Sequence, residues 1–188
     1  MTAGTKLKPL LKLLSLILFT FFLGCSNSIQ LPTPEKIGDK ERSRVISGKQ
    51  AARVVNKMHG QSVAADANAI VEYGKEKKDI LYISYYEDQS QARKAFNLMI
   101  EKMVSAKQGP FFHLMPLPTY KNKVYFTLGM GARHYIFVSG NYLLWLQTLQ
   151  SFGDELPPRL LKLYPVTSKP AGGRSVLFIS ARVNYYPI

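Results

Sequence analysis

Apolar and polar positions change period several times along this chain, and each change predicts an element. Residues 88–106 hold the clearest helical spacing: Ala92, Ala95, Phe96, Met99, Ile100, Met103 and Val104 recur at i, i+3, i+4 and i+7. They predict a helix with one buried face, opened by Asp88. Methionines at this spacing read as core packing rather than as a metal or haem box. A shorter helix is expected over 48–58, where Ala51, Val54, Val55 and Met58 share a face, Ser47 is a candidate N-cap and Gly60 a candidate stop. Gly48 is a poor helix former in its first turn. A third helix is expected from Pro158 to Leu163, with Pro157-Pro158 as its start.

Between these lie runs rich in β-branched and aromatic residues. Ala69 to Tyr73 and Ile80 to Tyr86 read as strands flanking the polar turn Gly74–Asp79. Val124 to Gly129, Arg133 to Ser139 and Tyr142 to Leu149 are three more, with Ser139-Gly140-Asn141 as a hairpin turn. A last strand is expected from Val176 to Tyr186, after a loop containing Ala171-Gly172-Gly173-Arg174. Gly109-Pro110 ends the long helix. Met115-Pro116-Leu117-Pro118 reads as an ordered loop, because proline cannot donate to a central sheet ladder. The pattern predicts an α+β fold, an antiparallel sheet with helices on one face. Strand, turn, strand, helix occurs from Ala69 to Ala106 and again from Arg133 to about Leu163. This suggests a duplicated ββα unit, although residue identity between the halves is poor enough for coincidence.

The first 25 residues follow another logic. Lys6, Lys8 and Lys12 make a basic start, and an apolar run of eleven residues follows from Leu13 to Leu23, interrupted by Ser15 and Thr20. Eleven residues span roughly 16 Å as a helix, about half of a hydrocarbon core, so the run fits the h-region of a secretory signal better than a membrane anchor. Phe22-Leu23-Gly24-Cys25 then resembles the bacterial lipobox, in which a small residue precedes a cysteine that becomes the lipidated N-terminus. Gly24 and Cys25 match that pattern, while Phe22 stands where Leu is usual. The resemblance implies a signal peptide over 1–24, a lipid anchor on Cys25, and Ser26 in place of the Asp that retains lipoproteins at the inner membrane. An outer-membrane position facing the periplasm is the expectation. Residues 25–46, with Pro32, Pro34 and the charged stretch Glu35 to Arg44, read as a tether, and 47–188 as one domain.

Composition narrows the chemistry. Of 188 residues, 25 are Lys or Arg and 12 Asp or Glu, a net charge of +13, and removing the three lysines of the signal leaves +10 on the exported part. The lone cysteine excludes an internal disulfide framework and a multi-thiolate metal site. Gly129-Met130-Gly131 lacks the third glycine of a dinucleotide loop, and neither a Walker A sequence, a His-Glu-x-x-His nor a Gly-x-Ser-x-Gly occurs. His59, His113 and His134 lie in separate segments. His59 sits at an expected helix end, where a cation complements the dipole. His134 follows Met130 by four residues, so a His/Met site for copper or haem iron is an alternative to a structural histidine. Asp154-Glu155 and Glu87-Asp88 look like acidic decoration of helix starts.

Lys49, Arg53 and Lys57 recur every four residues as a basic stripe, either a solvated face or a contact for phosphate or lipid head groups. The segment Tyr85-Tyr86-Glu87-Asp88-Gln89-Ser90-Gln91-Ala92-Arg93-Lys94-Ala95 is similar to a strand-to-helix turn of small envelope-associated domains such as the peptidoglycan-binding SPOR type. The similarity covers about a dozen residues and transfers no binding residue. The sequence therefore predicts a non-enzymatic binding or scaffolding module at the bacterial envelope, without a cofactor, whose partner is another envelope protein, a glycan or an anionic lipid rather than nucleic acid. The alternatives are a haem, metal or small-ligand-binding lipoprotein using His134, Met130 or His113, and an envelope hydrolase.

Overall fold

The computed structural model describes residues 29–166, apart from 60, 61, 63, 64 and 107. The signal segment, Cys25 and the strand expected over 176–186 lie outside the described residues. The described chain runs β1 (Lys36–Ile37), β2 (Lys40–Ser47), α1 (Gly48–His59), β3 (Ala67–Tyr73), β4 (Asp79–Tyr85), α2 (Gln89–Ser105), β5 (Phe111–Pro116), a 3₁₀ turn (Pro118–Tyr120), β6 (Val124–Gly129), β7 (Ala132–Ser139), β8 (Tyr142–Thr148) and α3 (Pro158–Leu163).

All eight strands form one antiparallel sheet in the order β1-β2-β3-β4-β8-β7-β6-β5. Two four-stranded meanders thus meet where β4 pairs with β8, Leu81 opposite Leu146 and Ile83 opposite Leu144. Alternation sends these four side chains to one face, where Tyr73, Tyr135, Phe137, Val124 and Ile37 join them in a single buried cluster. Ile37 on β1 and Val124 on β6 lie far apart in strand order yet share that cluster, because the sheet curls around it.

α1 and α2 lie on the opposite face. α1 sets Ala51 and Val55 on Ile70, and α2 carries the chain from central β4 to edge strand β5, placing Phe96 against Tyr125 at 5.8 Å between ring centres. Asp88 caps α2 as its spacing predicts, its carboxylate accepting the Ser90 N–H at 2.8 Å. α3 departs from the expected arrangement. Leu160 and Tyr164 enter the curled core, so the helices divide between the two faces. The strand pairs β3–β4 and β7–β8 correspond, but the helices that follow them lie on opposite sides and number 17 and 6 residues; the ββα unit is not repeated as a whole.

Three further corrections follow. Residues 31–46 are not a tether. Leu31 packs on the curled core, Pro34 is buried, the Tyr73 hydroxyl donates to the Pro34 carbonyl at 3.0 Å and the Tyr164 hydroxyl to that of Pro32, and 36–37 and 40–47 are strands. Met115 and Pro116, expected in a loop with Leu117 and Pro118, instead end β5, an edge strand bulged between Phe112 and Met115, where a proline costs no ladder bond. Asp154 and Glu155 precede α3 in a separate turn and do not lie in its first turn.

Candidate functional site

α1 forms because its apolar residues fall on one side, but the buried stripe is narrower than its sequence suggests. Ala51 and Val55 are buried, while Val54 and Met58 are 38% and 58% exposed. Lys49, Arg53 and Lys57 are all exposed, and the helix carries no Asp or Glu. At 100° per residue the three cations occupy one side, and Val54 and Met58 separate them from the buried edge. α1 therefore presents three cations flanked by exposed apolar groups. The ring of His59 donates Nδ1–H to the Val55 carbonyl at 2.8 Å, satisfying a carbonyl of the last turn.

The remaining histidines do not converge with it. His113 is exposed on the β5 bulge at φ 56°. His134, on β7, is 1% exposed. Its Nδ1 lies 2.9 Å from Trp145 Nε1, and its Nε2 lies 3.0 Å from the Gly129 carbonyl oxygen. Indole N–H only donates and a carbonyl only accepts, so the ring is the neutral Nε2–H tautomer with both nitrogens engaged. Phe111 meets the rings of both His134 and Trp145 edge-on or tilted, at 5.1 and 5.3 Å. Burial holds the imidazole below its ordinary pKa, and the Gly129 carbonyl opposes this only in part. Met130 is 71% exposed in the β6–β7 turn. A metal at His134 would have to displace one of its two hydrogen bonds. No group of three or more His, Cys, Asp or Glu able to hold a metal occurs among the described residues.

The most buried carboxylate was not singled out by sequence. Asp79, read as the end of a polar turn, opens β4 and is fully buried. Its Oδ1 accepts from Lys40 Nζ at 2.8 Å and from the Leu149 N–H at 3.0 Å, and its Oδ2 accepts from Gln150 Nε2. Gln150 also donates to the Ile37 carbonyl and accepts from the Asp39 N–H. One carboxylate thus joins the starts of β2 and β4 to the chain leaving β8. Every Asp79 oxygen is committed to these contacts, which makes it a structural clamp rather than a general base. Only its i, i+2, i+4 spacing with Leu81 and Ile83 would have signalled an inward direction.

An open cavity of about 290 Å³ lies by β1 and β2, lined by Glu35, Lys36, Glu41 and Arg42. Lys36 and Glu41 pair across it at 2.9 Å, and no serine, threonine, cysteine or histidine is among these residues. No protein-family model, no curated protein and no solved structure matches the chain. Among the described residues no helix is long and apolar enough to cross a membrane.

Proposed function

We propose that this protein is a non-enzymatic binding module of the bacterial envelope, held to a membrane by lipid on Cys25 and engaging an anionic glycan or lipid, or an acidic envelope protein, through basic surface. The observation that carries the reading is α1, with Lys49, Arg53 and Lys57 exposed on a helix that bears no carboxylate. Cations held in a row on a rigid helix meet an anionic surface without reorganisation, and that contact weakens with salt. Thioether-linked diacylglycerol on Cys25 would supply two chains, enough for stable anchoring where one is marginal. The outer membrane, periplasmic side, is the favoured position.

Two experiments test the reading. Cells fed radioactive palmitate label the wild-type chain and leave Cys25→Ala unlabelled; an unlabelled wild type removes the anchor. Crosslinking in the native envelope followed by pull-down enriches one polymer or protein over a charge-matched control, and enrichment falls as salt rises. Equal recovery with the control removes the binding module.

A further inference from the structure

The two edges of the sheet differ in character. At one, β1 covers only Lys40 and Glu41 of β2, and the exposed residues that follow are Arg42, Ser43, Arg44 and Val45. Charged side chains of this kind blunt an edge against strand addition. At the other, β5 reads Phe-Phe-His-Leu-Met-Pro, without Asp, Glu, Lys or Arg, and among the described residues it pairs only with β6. Phe112 is 56% exposed and Met115 44%. They stand opposite Leu128 and Phe126, which are two apart on β6. The bulge therefore brings both to the face on which Phe126 packs against the curled core. β5 is an edge without charge to protect it, and its apolar side continues the core.

The sequence after Val166 contains a segment of matching pattern. In 176–186, which lie outside the described residues, Leu177, Ile179, Ala181, Val183 and Tyr185 alternate with a second set that includes Ser180, Arg182 and Asn184. This is the period of a strand with one apolar face. Residues 167–188 carry Lys169, Arg174 and Arg182 and no Asp or Glu, so Arg42 and Arg44 disfavour them at the β2 edge. β5 sets no charge against them.

Direction and reach agree with β5. The Pro165 carbonyl accepts the Ser139 hydroxyl at 2.9 Å, so the described chain finishes beside the β7–β8 hairpin. β5 finishes at the same end of the sheet, since Pro116 opposes Tyr125 and Val124 opposes Phe137. A strand running away from that end is antiparallel to β5, like every other pairing in the sheet. From β7 to a position beyond β5 is three strand spacings, about 15 Å. The nine residues 167–175 reach up to about 30 Å.

We propose that residues 176–186 dock on β5 as a further antiparallel strand, turning Leu177, Ile179, Val183 and Tyr185 to the side of Phe112 and Met115. Main-chain groups on the open side of β5 provide the ladder, and the apolar face provides the specificity. Pro116 has no N–H to offer, so the ladder forms on the residues before it. The proposal is independent of the lipid anchor and of the cations on α1.

Amide hydrogen exchange of the full chain, read by mass spectrometry on peptides covering 109–117 and 176–186, tests it. The amides of 176–186 should exchange at least about 100-fold more slowly than those of an unfolded chain. Phe112→Lys/Met115→Lys should return them to unfolded rates while the β7–β8 peptides keep their protection. Both sites are exposed, and Phe112→Ser/Met115→Ser is a milder second variant should the lysines disturb β7–β8. Conversely, Leu177→Lys/Ile179→Lys/Val183→Lys should speed exchange in 109–117. Unfolded rates for 176–186 in the wild type overturn the proposal, and so does protection that survives both changes of Phe112 and Met115. Protection that disappears when sedimentation shows the chain diluted to a monomer assigns the added strand to a second copy and overturns it as well.

Discussion

Trp145 donates its indole N–H to Nδ1 of His134 across the β7–β8 pair, at 2.9 Å, and this contact decides the state of the histidine. The ring can donate only through Nε2, and the Gly129 carbonyl takes that proton. Trp145→Phe keeps the ring stack but leaves a buried acceptor without a donor, a loss of about 1–3 kcal/mol. Urea unfolding of the variant measures it. An undiminished midpoint would show that Nδ1 finds another donor.

The same residue gives the protein an acid-sensitive component of stability. The folded pKa of His134 lies below the unfolded value of about 6.5. Above that value both states are neutral and the histidine contributes no pH dependence. As pH falls below about 6.5 the unfolded state takes up a proton that the folded state refuses, so stability is lost through that window. Thermal melts at neutral and mildly acidic pH should differ more for the wild type than for His134→Leu. Equal slopes would mean that the ring is solvated when folded.

Asp79 and Lys40 make a second testable pair. Asp79 is fully buried and Lys40 largely so, with a side chain 19% exposed. Asp79→Ala strands the Lys40 ammonium, the Gln150 amide and the Leu149 N–H together and should cost about 3–5 kcal/mol. Lys40→Met removes one of three donors and should cost less, since Gln150 and Leu149 remain. A larger loss in Lys40→Met than in Asp79→Ala would reverse the assignment of Asp79 as the organising group. Chemical denaturation separates the two.

Gly38 depends on the same clamp. It has φ +59°, and a Cβ there would stand 2.1 Å from Gln150 Oε1. Gly38→Ala therefore incurs the left-handed penalty of about 1–2 kcal/mol and in addition displaces Gln150 from Asp79. The two changes are coupled, so Gly38→Ala combined with Gln150→Ala should destabilise by less than the sum of the single variants. A double-mutant cycle reads this directly, and strict additivity would place the clash elsewhere.

Neutralising α1 should have the opposite profile. Lys49→Gln/Arg53→Gln/Lys57→Gln touches only exposed side chains, so stability should stay within about 0.5 kcal/mol of wild type for each change. Capture of the envelope partner should lose salt dependence. A large fall in thermal midpoint would make the stripe part of the fold instead of a binding surface.

Local sequence reached far into this fold. Periodicity placed α2, β6, β7, β8 and α3 to within a residue or two, because each has a strong apolar stripe and a clear cap or turn: Asp88, Gly140, Pro157. It also placed Lys49, Arg53 and Lys57 on one helix side, which follows from spacing alone. What it could not read were features that depend on who the neighbour is. Residues 31–46 look like a solvated linker until Tyr73 and Tyr164 reach the Pro34 and Pro32 carbonyls from 39 and 132 residues away. Asp79 looks like turn decoration until Lys40 and Gln150 close on it. Hydrophobic period and turn chemistry are properties of a few consecutive residues, so the chain alone determined most of its elements, though not β1, β2 or β5, and its charge. Partnering of buried polar groups is a property of the packed sheet. Only the tertiary structure decided which carboxylate was buried and that both nitrogens of His134 were occupied.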